Sequence, residues 1–376
     1  MTTGIQFPDH SMSGIALRYA NIKAQRFESP KLFWYFSFMT CLSSLVADKV
    51  ILDGALKTQL RLYTIMLGSS GLSHKSWAGE YTYKFFHSLF GDLFPVCTGA
   101  NSAEGLINVL KREKRVLFWL DELQHFIKKA SISGSVLLQV VNTLYESNRE
   151  QIEKSQESIN IDDAYLSLMA ASTMETYEKI FTPEFQAIGF PARLFIVPAE
   201  RNHKVSRPRN IPDDEINPIR DKLLQLYDRC KDGKVITMTI KADRLYDEWY
   251  HDLPDSEYVN RLDGYALRLM ALHALSDGRD EVHDEIVERV ASICDWQLKV
   301  RKQYAPYDAD NQLAELEQKI MRHCAIYTPT ERELKVAIRV QKYGYGLYGK
   351  AIDNLVRHSM LEKVEDGRTQ RLSVIE

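Results

Sequence analysis

Two rhythms of apolar residues alternate through the first half of the chain. Short runs at Leu60–Gly68, Leu93–Cys97, Arg115–Leu120, Tyr165–Ala171 and Leu194–Val197 have the length of strands buried on both faces. Helical stretches lie between them. Lys75–Phe90 sets Trp77, Tyr81, Phe85 and Leu89 four residues apart on one face. Ala103–Lys111 is capped by Ser102 or Asn101, Ser135–Ser147 carries Leu137, Val141, Leu144 and Tyr145 on one side, and Met174–Ile188 follows. This alternation predicts an α/β fold: a five-stranded, mainly parallel sheet with crossover helices on both faces. Gln151–Ile161 alternates weakly and is polar in its middle, which predicts a hairpin.

Ahead of the sheet, Leu32–Ala47 is apolar and uncharged but interrupted by Ser37, Thr40, Ser43 and Ser44. It is shorter than the roughly 20 residues that a spanning helix needs, so it predicts a helix buried in the core, opened by Ser29-Pro30. Residues 1–29 read as an arm. After the last strand, Arg201–Pro218 is polar and holds Pro208, Pro212 and Pro218, which reads as a linker; its basic cluster (Arg201, His203, Lys204, Arg207, Arg209) reads as solvated, with contact to DNA phosphates the lesser alternative. A lone strand-like run, Val235–Ile240, precedes helices over Ala242–Leu253, Glu257–Leu275 and Asp280–Tyr304. The end of the chain has a winged-helix pattern. Leu313–Ile326, a helix opened by the capping box Thr330–Glu333, and Leu347–Ser359 come first, and Leu361–Val364 and Arg371–Val374 then flank an Asp366-Gly367 turn. The expected divisions are the arm at 1–29, an α/β core with its N-terminal helix at 30–212, a helical block at 213–306 and the winged helix at 307–376.

Composition narrows the classes. The 376 residues exceed a usual single core, and 45% hydrophobic with 26% charged residues is ordinary for a globular protein. A net charge of −3 excludes a strongly basic nucleic-acid coat but not a local basic channel. The five cysteines are scattered without a Cys-x-x-Cys pair, which argues against a disulfide framework or zinc site and for a reducing cytoplasm. No secretory signal is visible, and no membrane association is expected.

Candidate chemistry gathers where the strands end. Gly68, Ser70, Gly71, Ser73 and His74 lead into Lys75-Ser76, a strand, a glycine and serine turn and a helix start. In this layout backbone N–H groups and a helix N-terminus face the phosphates of a nucleotide. Lys75 would reach the β- and γ-phosphates and Ser76 would hold Mg²⁺. The spacing is irregular: Lys75 stands seven residues after Gly68 rather than six, with Ser73-His74 where one glycine is expected. The run Arg115–Leu120 ends in Asp121-Glu122, where Asp121 would support Mg²⁺ and Glu122 would polarise the attacking water. Gly71, Asp121 and Thr173 would all lie beyond the strand C-termini, where ligands of such sheets bind. On the winged helix, Lys350, Arg357 and Lys363 are candidates for DNA phosphates, although acids are nearly as numerous there and a protein-docking wing is almost as plausible.

The ordered set Ser70–Ser76, Thr98–Leu106 leading into Leu120–Leu123, and Ala170–Thr173 leading into Gly189–Arg193 resembles the MCM-related AAA+ helicase-like ATPases of mobile elements. The resemblance covers roughly Pro30–Leu298 and implies a P-loop AAA+ core of the ASCE type, with 213–306 as a helical lid. It implies that Ser172 or Thr173 senses the γ-phosphate and that Arg193 is an arginine finger acting on the neighbouring subunit, so that catalysis needs an oligomer, a hexameric ring. It further implies that Arg261 or Arg268 senses nucleotide from the lid, and that Lys154 on the 150–162 hairpin touches DNA in the ring pore. The expected activity is ATP-dependent DNA translocation or unwinding with ATP and Mg²⁺, in concert with separately encoded replication proteins. The rival expectations are a non-motor adaptor with a degenerate loop and an ATPase that remodels protein.

Overall fold

The computed structural model describes residues 5–375 apart from 100–102, 133–134, 154–157, 181–188, 305–310 and 367–368. The chain opens with α1 (Gly14–Arg26) and α2 (Lys31–Val46), crosses β1 (Val50–Leu52) and β2 (Thr58–Gln59), and reaches β3 (Tyr63–Leu67). Then come α3 (Lys75–Phe90), β4 (Val96–Thr98), α4 (Ala103–Arg112), β5 (Arg115–Leu120), α5 (Leu123–Ala130) and α6 (Leu137–Thr143). A hairpin of β6 (Glu150–Glu153) and β7 (Ser158–Ile161) precedes β8 (Tyr165–Ser172), α7 (Met174–Ile180) and β9 (Phe195–Pro198). Lys154 lies outside the described residues, as does the second half of the helix expected over Met174–Ile188.

Five of these strands form one all-parallel sheet in the order β4-β5-β8-β3-β9. Every residue of β3, β5 and β8 is buried, as expected of central parallel strands covered by helices on both faces. Pro198 sits on β9 at the sheet's edge, where a missing N–H is tolerated. The buried α2 packs on this sheet, and its interrupting polar residues explain themselves there. Thr40 donates to Phe36 O at 2.7 Å and its Oγ1 lies 2.8 Å from Thr64 Oγ1, and Ser43 Oγ lies 3.2 Å from Ser167 Oγ. Ser37 Oγ also reaches Met66 Sδ at 3.5 Å, so these hydroxyls are buried at little polar cost. Among the described residues no helix is long and apolar enough to cross a membrane.

Three expectations are corrected here. The supposed arm contains α1, whose Ala16, Tyr19 and Ala20 are fully buried against α2 and α3. Pro218, read as linker, lies inside α8 (Asp213–Cys230). The helix begins only just before it, at the acidic Asp213-Asp214-Glu215, so the ring costs one early hydrogen bond rather than breaking a long helix. The lone run near Val235 is β10 (Lys234–Met238), one strand of a second sheet ordered β11-β10-β1-β2, where β11 is Glu281–Val282.

Around that sheet lie α9 (Ile240–His251), α10 (Leu262–Ser276) and α11 (Asp284–Tyr304). One continuous apolar core runs from Ile5 to Tyr304, so the block 213–306 shares its interior with the large sheet. The C-terminal part has its own core of Leu316, Ile320, Leu334, Tyr348, Leu355, Leu361 and Leu372. It comprises α12 (Gln312–Ile326), α13 (Glu331–Ala337), α14 (Tyr345–Arg357) and an antiparallel hairpin of β12 (Leu361–Asp366) and β13 (Thr369–Val374). The capping box at Thr330 and Glu333 forms as read.

Candidate functional site

The carboxyl ends of β3, β5 and β8 bring the loop and the acids to one edge of the sheet. Leu67 stands level with Ser172 and Leu120 with Ala170, and β8 separates β3 from β5. Two strand spacings put the start of the loop roughly 10 Å from the acid-bearing strand. Close helix packing sets the depth. A side chain at Gly79 would meet the Trp119 ring at 2.3 Å, so glycine lets α3 lie tight against β5. Gly68 is fixed in the same way, because a Cβ there would fall 2.4 Å from Ser73 Oγ and 2.7 Å from Ala199 O.

Lys75 opens α3, and its ammonium turns back into the loop, donating to Gly68 O at 2.9 Å and Ser69 O at 3.1 Å. Partial burial lowers its pKa, while the charges of Glu200 and Asp121 oppose the shift. The two groups expected to grip one triphosphate therefore share an electrostatic environment. Ser76 follows on the first turn of α3, partly buried. Ser70 and Gly71 form the exposed tip of the loop.

His74 has an unusual backbone, while the extra residue between Gly68 and Lys75 stays. Its backbone is left-handed, φ 45° and ψ 43°, at the position before the lysine where the phosphate-loop pattern has glycine. A left-handed non-glycine residue is strained by about 1–3 kcal/mol and persists only when its neighbours hold it. They do: the His74 ring stacks on Trp77 at 4.2 Å and its Nε2 lies 3.3 Å from Glu28 Oε2, while Ser29 Oγ donates to His74 O at 2.8 Å.

Two acids at this edge were not read from the sequence. Glu200 accepts from Ser69 N at 3.0 Å and Ser69 Oγ at 2.7 Å, so the first amide of the loop already binds an anionic group. Glu28 accepts from Val205 N at 2.8 Å and from Arg201, and these bonds lower its pKa to about 2. Arg201, read as part of a solvated cluster, is thus an internal ion-pair partner. The available signal for Glu200 was an acid placed just after an apolar strand; Glu28 had none beyond preceding Ser29-Pro30.

The remaining candidates are distributed as follows. Glu122 is exposed and paired with His125 at 2.8 Å. Ser172 ends β8, and its carbonyl accepts from Gly68 N at 3.4 Å, directly beside the loop. Thr173 Oγ1 accepts from Thr176 N at 3.1 Å and donates to Thr176 Oγ1 at 2.9 Å, so this hydroxyl caps α7. Arg193 precedes β9 at the opposite edge. It is partly buried, donates from Nη1 to Gly189 O at 2.8 Å, and has an Nε with no acceptor among the described residues.

Arg268 does not face the loop. It is buried and donates to Arg61 O at 2.8 Å and Tyr145 O at 3.1 Å, stacked 3.9 Å over the Tyr145 ring. Arg61 lies at the amino end of β3, roughly 20 Å from Gly68 at about 3.3 Å per residue. A nucleotide-sensing role for Arg268 is therefore set aside. Arg261 is no substitute, since it pairs with Glu146 beside the same far edge. On α14, Lys350 and Arg357 are both exposed.

The donor set suits a nucleotide phosphate: a loop amide that already receives a carboxylate, a lysine beneath it, and a helix N-terminus. Ser76 and Asp121 are hard oxygen donors appropriate to Mg²⁺, which takes few protein ligands and completes its shell with phosphates and water. Among the described residues there is no group of three His, Cys, Asp or Glu side chains able to hold a metal alone. A cleft of about 1120 Å³ opens beside Ser69, Leu72 and Glu200, walled on its far side by α13. A scan against protein-family models and a search of curated proteins returned no match for this chain.

Proposed function

We propose that the chain is an ATPase whose phosphate loop and strand-end acids drive movement along DNA, as a replicative or initiator motor of a mobile element. The observation that carries the reading is the convergence of Lys75, Ser172 and Asp121 at one edge of a parallel sheet, with Asp121 acting on the Lys75 charge. Lys75 would offset the β- and γ-phosphate charge, leaving Gly68 O and Ser69 O for the substrate. Ser76 and Asp121 would hold Mg²⁺, which when bound neutralises phosphate charge. Glu122, released from His125, would orient the attacking water. Arg193 would serve a neighbouring subunit in a ring only after its guanidinium leaves Gly189 O. The three helices and hairpin at the C-terminus support a winged-helix reading, with Lys350 and Arg357 available to DNA phosphates.

A second reading draws on a specific feature. Lys75 and Ser69 already have partners within the protein, which favours a non-motor adaptor that binds nucleotide weakly. Steady-state ATPase measurements with and without single-stranded DNA separate the two. DNA-stimulated turnover that disappears in both Lys75→Ala and Glu122→Gln supports the motor. Equal background in all three proteins supports the adaptor.

A further inference from the structure

Ser69, the residue after Gly68, is bound from two sides. Glu200 Oε1 accepts from its N–H at 3.0 Å and from its hydroxyl at 2.7 Å. Its carbonyl accepts from Lys75 Nζ at 3.1 Å and from Ser73 Oγ at 2.7 Å. A carboxylate, one loop residue and the loop lysine are thus joined in a row. Burial lowers the Lys75 pKa, and Glu200 opposes that shift more than Asp121 does. The backbone around Glu200 is anchored on both sides, since Ala199 N donates to Leu67 O at 2.9 Å and Arg201 pairs with Glu28. Its side chain is freer: it is half-buried, borders the open cleft, and among the described residues bonds only to Ser69. The carboxylate can therefore swing out without disturbing the sheet. Glu28 differs. It accepts from Val205 N and Arg201 and lies 3.3 Å from His74 Nε2, a fixture at the other end of the loop.

We propose that Glu200 is the resident anion of the loop: its carboxylate holds Ser69 and keeps Lys75 folded onto the loop carbonyls, and a nucleoside triphosphate binds by displacing it. The proposal rests on the phosphate-loop reading and adds to it a regulating contact that the loop pattern does not contain. Charge sets the sign of the effect. Phosphate and carboxylate are both anions that compete for the same loop donors and for Lys75, and like charges held close together repel. Bonds to an ionised acceptor are also roughly twice as strong as neutral ones. Glutamine at position 200 keeps the shape, weakens the hold on Ser69 and removes the repulsion. Weak binding by the unaltered chain is then a property of one side chain rather than of a degenerate loop.

The test is titration of the full chain with a fluorescent ATP analogue in the presence of Mg²⁺. Glu200→Gln is expected to tighten binding by about tenfold, a gain that misfolding does not produce. Ser69→Ala keeps the amide and drops one of the two bonds to Glu200, and is expected to tighten binding by roughly threefold. Glu28→Gln is expected not to tighten it, because that carboxylate bonds to neither Ser69 nor Lys75. If neither Glu200→Gln nor Ser69→Ala binds better than the unaltered chain while Lys75→Ala does not bind, the resident anion is refuted and the loop reading stands. If Glu28→Gln gains as much as Glu200→Gln, the effect is one of overall charge and the contact is refuted as well. If no protein of the series binds better than Lys75→Ala, the loop reading itself falls and the proposal falls with it.

Discussion

The two edges of the large sheet treat their cations in opposite ways. At the amino edge, Arg61, Arg268 and Arg301 are buried, and each donates at least two hydrogen bonds to backbone carbonyls. Burial and the neighbouring Arg268 charge lower the Arg61 pKa to about 10, so it stays charged at neutral pH. At the carboxyl edge Lys75 also donates to carbonyls, but it is only partly buried, and the charges of Glu200 and Asp121 act on it. Similar bonds therefore sit in different surroundings: sealed carbonyl contacts hold helices α10 and α11 to the sheet, while the ATPase reading requires the more open ones at Lys75 to give way to a ligand. A charged side chain reads as structural or functional by what surrounds its bonds, not by their number.

The largest test of this contrast is Arg268→Ala. It strips Arg61 O and Tyr145 O of their donor in a closed interior and is expected to cost about 4 kcal/mol of stability, read from denaturant midpoints. A loss no greater than that of Lys75→Ala would erase the distinction.

Lys23 sharpens it with a buried cation that faces rings instead of carbonyls. Its ammonium lies 5.3–5.6 Å from the Tyr19, Phe27, Trp34 and Tyr81 ring centres, and burial lowers its pKa to about 8. Below pH 8 the folded chain carries a proton here at a disadvantage. Between about pH 8 and 10.5 the unfolded chain binds more protons than the folded one, so this group makes stability rise with pH. The total is about 3 kcal/mol, and Lys23→Met should be more stable near neutral pH and lack that part of the rise. Parallel stability curves for the two proteins across this window would show that Lys23 is not held as described.

Gly68→Ala comes next. The added methyl meets Ser73 Oγ and the fixed Ala199 O, which is expected to cost about 2 kcal/mol and to weaken nucleotide binding together with stability. Smallest is Lys75→Ala, expected to change stability by less than about 1 kcal/mol because Lys75 and Ser69 are only partly buried, while abolishing analogue binding. Loss of stability comparable to Arg268→Ala would move Lys75 into the structural class.

Much of this was legible in the chain. The α3 boundaries, the strand ending at Leu120 and the Thr330–Glu333 cap follow from local patterns, because one helical face or one strand run suffices to specify them. What escaped was non-local. β1 and β2 hold three and two residues, too few for a period; β1 forms by pairing with β10 far along the chain, and β2 by pairing with β1. Arg268 was assigned to the nucleotide because its helix was read as a lid; its place, buried against Arg61 O and Tyr145 O, depends on partners far along the chain. At His74 the chain is left-handed, a conformation that glycine more often supplies and that no spacing rule reveals.

The parallel pairing of Val50–Leu52 with Lys234–Ile236 also bears on how the protein is made. During synthesis the early strand must wait, one side unmatched, until some 180 further residues have left the ribosome, at about 5–20 residues per second. For those seconds it is an open template for pairing with another nascent chain. Its brevity and the charged Asp48 and Lys49 just before it limit that hazard while the partner is still being translated.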